Sequence, residues 1–242
     1  STKFLSLLGV TETLALFASQ IKATAGHDAR VHAPYGLTFG PATNCAGHAA
    51  LNELLNSEVD GFVSPAAYDG YDIDQSGGIL GAVHSALHHG KSWLILDDSL
   101  MNPTAAAGDD AAAKTLRQRL DHVFAVAATQ GMGLGWRIPI DTPEFPNEAA
   151  WSTLKSLKAM YSPIVEAKPV DGLDPFGRPE SRLMTVVLGE TGRFHQVCDT
   201  EINNDLLRTL PANVLRAGVP MQICLLSDLL AGTVPATPCY LF

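Results

Sequence analysis

Apolar positions recur in two periods along the chain, and the alternation between them sets out its elements. From residue 10 to 24, Leu14, Phe17, Ala18 and Ile21 fall at helical spacing, with Thr11 available as N-cap and Gly26 just past the end. Arg30 to Ala33 reads as a strand, and Pro34-Tyr35-Gly36 opens a polar loop. Helical spacing returns near 47–56 through Leu51, Leu54 and Leu55. A short apolar run, Gly61 to Val63, stops at Ser64-Pro65, and a Gly-rich loop with Tyr68, Asp72 and Asp74 comes next. Ile79, Val83, Ala86 and Leu87 then share one helical face that Gly90 ends. A second apolar run, Trp93 to Leu96, stops abruptly at Asp97-Asp98.

The amphipathic pattern is clearest from Asp109 to Gln130, where Leu116, Leu120, Val123, Phe124 and Ala127 mark the inner face. Gly133 to Ile138 reads as the next strand and carries Trp136. Another helix over 146–161 places Trp151, Leu154, Leu157 and Tyr161 on its apolar side. Residues 162–181 then hold four prolines (Pro163, Pro169, Pro175 and Pro179) with Gly172 and Gly177, a linker by composition. Beyond it the pattern predicts a strand at 183–188, a helix at 201–217, a strand at 221–226 and a last one from Cys239. The expected organisation is a domain over 1–161, the linker at 162–181 and a second α/β unit over 182–242. Strands alternating with helices imply parallel sheets joined by right-handed crossovers.

In parallel α/β proteins, ligand sites collect at the carboxyl ends of strands, because the loops there vary over a rigid sheet. The polar and aromatic residues at those ends are therefore the candidates: Asp97 and Asp98 as catalytic carboxyl groups, with Tyr35, Ser64, Tyr68 and Trp136 as substrate-binding side chains. Adjacent carboxylates on a strand point to opposite sides, so only one of the pair could face a pocket. The bland alternative is that Asp97 and Asp98 stop a strand and cap the next element, and that the aromatics are core.

The net charge of −9 speaks against a nucleic-acid partner, which needs clustered Lys and Arg. No apolar run approaches the roughly 18–20 residues that span a bilayer, and no signal peptide is evident at the Ser-Thr-Lys start. Cys45, Cys198, Cys224 and Cys239 show no metal-ligand spacing, and Cys224 and Cys239, in apolar and strand-like surroundings, read as buried free thiols. His84 and His88 stand at i, i+4, which suits a metal. No third ligand accompanies them, and the run His84, His88, His89 reads as surface histidines on a helix. His195 and Cys198 at i, i+3 do not make a catalytic triad. No cofactor and no metal is expected.

The run SPAAYDGYD…GGILGAVHSALHHGKSWLILDDS, with GMGLGWRIPIDTPEF after it, resembles the back half of the catalytic barrel in β-galactosidase-like glycoside hydrolases of family 42 and their relatives. RLMTVVLGE and LLRTLPANVLRAGVPMQICLLSDLLAGTVPATPCYLF resemble the opening of that family's glutamine-amidotransferase-like trimerisation domain. The resemblance implies an α/β fold: a partial (β/α)8 barrel with strands five to eight, then an incomplete flavodoxin-like unit. It implies a carbohydrate ligand and no cofactor. It also implies an acid/base Glu upstream of Ser1 and a nucleophilic Glu near Leu96, where this chain has Leu96-Asp97-Asp98. Retaining glycosidases need two carboxyl groups about 5–5.5 Å apart, and this chain offers at most one, from an Asp one methylene shorter. The expectation is a homologue that does not hydrolyse on its own, with a scaffold subunit or a carbohydrate-binding remnant as alternatives. A protein partner or self-association is expected to cover the incomplete barrel.

Overall fold

The computed structural model of the chain describes residues 2–35, 50–66, 81–101, 110–137, 148–166, 182–189 and 209–241. The elements are α1 (Thr2–Ala25), β1 (His32–Pro34), α2 (Leu51–Leu55), β2 (Gly61–Pro65), α3 (Val83–His88), β3 (Ser92–Asp97), α4 (Asp110–Gln130), β4 (Gly133–Trp136) and α5 (Glu148–Glu166). After them come β5 (Met184–Leu188), α6 (Leu210–Arg216), β6 (Met221–Leu225), α7 (Leu226–Ala231) and β7 (Cys239–Leu241). The protein is α/β with two parallel sheets, one in the order β1-β2-β3-β4 and one in the order β6-β5-β7. In the first, His32 pairs with Gly61 and Pro34 with Val63. In the second, Met184 pairs with Met221 on one side and Cys239 on the other. Among the described residues no helix is long and apolar enough to cross a membrane.

The chain divides into two compact units, the first made of Ser1–Ser64, Gly78–Leu94 and Ser181–Phe242. Its core is aromatic under β1 to β3: Tyr35, Phe62 and Trp93 form a triangle with ring centroids 5.4–5.7 Å apart. Edge-on packing of this kind suits the ring quadrupoles. Asp60, just before β2, ties the unit's lower edge together by accepting hydrogen bonds from Lys22 Nζ at 2.9 Å and the Val31 amide at 2.8 Å. Under the second sheet Val186, Val187, Ile223 and Cys224 are buried, and β6 is buried at every position.

The second unit comprises Pro65–Gly77 and Ile95–Glu180. Its core gathers Leu100, Leu116, Leu120, Leu154 and Leu157, with Phe124, Trp136 and Trp151 packed against it. On α4 and α5 these are the positions that the helical period predicts. Gly131, at φ 73°, ends α4 in the left-handed conformation that a side chain would oppose.

Three expectations are corrected. Helix α1 starts at Thr2, so Thr11 lies inside it and is buried instead of capping it. The inner face of α1 carries the small residues Thr11 and Ala18, whereas Phe17 is 58% exposed and Ile21 46%. Small side chains allow the close approach that bulky ones would prevent. Helix α5 runs past Tyr161 to Glu166 with Pro163 inside it, so the helical period outlasts the first proline of the expected linker. Most of the rest of that linker, 167–181, lies outside the described residues.

Candidate functional site

Five of the six candidate residues lie at strand ends within the described residues. Tyr68 lies outside them, as do Asp72, Asp74, Cys45, His195 and Cys198. In the first unit, Tyr35 comes directly after β1 and is buried against Phe62 and Trp93, and its amide donates to Val63 O at 2.7 Å. Ser64 on β2 is also buried, and its Oγ accepts the indole N–H of Trp93 at 2.9 Å.

In the second unit, Asp97 ends β3 and is 1% exposed, while Asp98 is half-buried. Asp97 Oδ1 accepts two hydrogen bonds from Ser99, one from its Oγ at 2.6 Å and one from its amide at 3.1 Å. This side chain-to-backbone turn fixes the chain as it leaves the strand. Burial pushes the Asp97 carboxyl above its ordinary value. Its bonds from Ser99 pull the other way, Asp98 adds repulsion and Arg119 offsets part of it. The Arg137 amide donates to Asp97 O at 2.8 Å, which holds the ends of β3 and β4 side by side.

The polar atoms left over at these two strand ends are complementary. Among the described residues, Asp97 Oδ2 is a buried acceptor with no hydrogen-bond partner, and Trp136 Nε1 is a buried donor with none. Buried polar groups are nearly always satisfied, so unmatched ones call for a reason. A hydroxyl, which both donates and accepts, matches an acceptor and a donor together. No group of His, Cys, Asp or Glu suited to a metal ion occurs among the described residues.

The histidines correct an expectation. His84 is fully buried and Ser85 with it, while His88 and His89 are half-buried. The reason is the edge of β6, whose amides His84 and Ser85 cover. A buried polar chain in the first unit is a feature the sequence reading missed. Gln222 Nε2 donates to Thr185 Oγ1 at 2.9 Å, Thr185 Oγ1 lies 2.7 Å from Thr237 Oγ1, and Thr237 Oγ1 donates to Cys239 O at 2.9 Å. The available signal was a polar residue second in each of two apolar strands, MTVVL and MQICL, which the register pairs directly.

Comparison of the chain with protein-family models, with curated proteins and with solved structures gave no match.

Proposed function

We propose that this chain is a carbohydrate-handling α/β protein of the β-galactosidase-like type, which binds a sugar at the carboxyl ends of β3 and β4 and does not hydrolyse it on its own. In this reading the four-stranded sheet represents strands five to eight of a partial (β/α)8 barrel, and the three-stranded sheet an incomplete flavodoxin-like unit. The observation that carries the proposal is the unmatched pair, Asp97 Oδ2 and Trp136 Nε1. A sugar hydroxyl offers a donor to the one and an acceptor to the other. The non-hydrolytic part rests on Asp97 itself. Its Oδ1 is committed to two hydrogen bonds from Ser99, and burial works against the carboxylate form that a nucleophile needs.

The test is titration of galactosides and short β-linked oligosaccharides, read by saturation-transfer NMR, with aryl β-galactoside turnover measured on the same samples. Binding that weakens about tenfold in Trp136→Phe, which keeps an aromatic ring and loses the donor, supports the reading. Absence of binding overturns it, and turnover abolished by Asp97→Asn overturns its non-hydrolytic half.

One observation favours a scaffold role as a second reading. Val10, Phe17 and Ile21 lie on a common exposed face of α1, and such apolar stripes are ordinarily covered. Sedimentation velocity decides it: a monomer at all concentrations sinks this reading.

A further inference from the structure

Among the described residues strand β6 is an edge of the sheet β6-β5-β7, and an edge presents unpaired backbone groups. Here side chains cover that edge. The Ile223 amide donates to His84 Nδ1 at 2.8 Å and the Leu225 amide to Ser85 Oγ at 2.8 Å. Arg182 Nη1 donates to Met221 O at 3.0 Å. Two consecutive residues of α3 thus stand in for a missing strand.

The bond to Ile223 fixes the chemistry of His84. A ring nitrogen that accepts a backbone N–H carries no proton of its own, so the neutral ring holds its proton on Nε2. Protonation of Nδ1 turns the acceptor into a donor and sets two donors against each other. The last turn of α3 behaves in the opposite sense. His89 Nε2 lies 2.7 Å from Asp228 Oδ1, a pair that protonation of His89 strengthens. His88 Nε2 lies 3.4 Å from Gln222 Oε1 and acts as donor in either state.

We propose that α3 is a pH-sensitive latch on the open edge of β6, closed while His84 Nδ1 is unprotonated and released at Ile223 and Leu225 when it takes a proton. The charged and titratable groups along this edge are Cys224 of β6, Asp228 of α7, Arg182 ahead of β5, and His88 and His89 of α3 and its C-cap. Asp228 is buried, and one of its oxygens, Oδ2, has no hydrogen-bond partner among the described residues. Because His89 and Asp228 hold the end of α3, release is local and does not detach the helix.

The experiment is residue-resolved amide exchange on the whole chain between about pH 8 and pH 5, either side of the ordinary imidazole range. The amides of Ile223 and Leu225 are expected to lose about tenfold in protection as the pH falls, with Gln222 and Cys224, which face β5, unchanged. Loss at all four together, or at none, overturns the latch. His84→Asn places an amide oxygen where Nδ1 stood and cannot titrate, so protection at Ile223 should become independent of pH; retention of the wild-type pH dependence overturns the proposal. Imidazole nitrogen shifts of the wild type give an answer that needs no variant. Nδ1 that stays unprotonated throughout the folded range overturns the latch.

Discussion

His32 on β1 and Ser92 on β3 are hydrogen-bonded through Nε2 and Oγ at 2.8 Å, across the strand that lies between them. The bond exists because the intervening residue, paired with His32, is Gly61. A Cβ there would run into Ser92 Oγ and would meet Ser92 O at 2.6 Å and His32 Cδ2 at 2.8 Å. One of those atoms is backbone and cannot step aside.

Gly61→Ala should therefore force β2 away from its neighbours and cost about 3 kcal/mol, the upper range of overpacking. Gly135→Ala is the control, because its Cβ would find Leu96 Cδ1 at 3.5 Å, an ordinary contact. Urea denaturation compares the two. Equal midpoints would show that the crowding around Gly61 relaxes freely.

Ser64 holds the indole of Trp93 in the buried aromatic triangle. Ser64→Ala removes the acceptor and leaves a buried N–H unmatched, at a cost of about 1–3 kcal/mol. Trp93→Phe combined with Ser64→Ala removes both partners, so the double variant should lose less than the two single losses added together. Strict additivity in a thermal-unfolding cycle would mean that the bond carries no coupling.

Where burial tracks the size of apolar side chains, the elements were legible in the sequence. Helix α4 buries Leu116, Leu120, Val123 and Ala127, the stripe its period marks. The later turns of helix α1 were legible, but its start at Thr2 and its buried face were not. A hydrophobicity pattern selects Phe17 and Ile21, while close packing of the helix selects Thr11 and Ala18. His84 was misread for a different reason. Its partner, the Ile223 amide, is 139 residues away, and the need for that bond arises only once β6 becomes an edge. At the candidate site, the strand-end positions of Asp97 and Trp136 were legible. The absence of partners for Asp97 Oδ2 and Trp136 Nε1 was not, since satisfaction of a polar atom depends on tertiary neighbours.

The thiols of the described residues should differ sharply in reactivity. Burial pushes the Cys224 thiol up to about 12, with the charge of Asp228 acting in the same direction, whereas Cys239, which the sequence pattern placed in the interior, is exposed on the last strand. The thiolate is the nucleophile, so Cys224 is almost wholly inert at about pH 8. Iodoacetamide labelling of the native chain, read by peptide mass spectrometry, should modify Cys239 at least about tenfold faster than Cys224. Denaturant should erase the difference. Rapid native labelling of Cys224 would mean that β6 opens far more readily than its packing implies.

Asp97 gives a pH dependence whose sign is set by burial. Burial raises the folded-state carboxyl above its ordinary value of 3.8, against the opposing pull of Ser99 and Arg119. The stability tied to this group is then fully present below the unfolded-state value and is lost as the pH rises through the folded one. At neutral pH the ionised carboxylate is a net cost to the fold. Asp97→Asn keeps the carbonyl oxygen that Ser99 bonds and removes the charge. It should raise the thermal midpoint at about pH 7.5, with the advantage shrinking as the pH falls through the folded-state value and gone below the ordinary carboxylate range, where the wild-type group is protonated in both states. The same substitution should weaken sugar binding, because an amide nitrogen replaces the acceptor Oδ2, the trade between stability and function expected of a built site. Thermal unfolding of both proteins across that pH range checks the sign. An Asp97→Asn chain that is less stable at neutral pH, by a margin that grows as the pH rises, would show that the carboxylate is held by a cationic partner and not left as an unmatched acceptor.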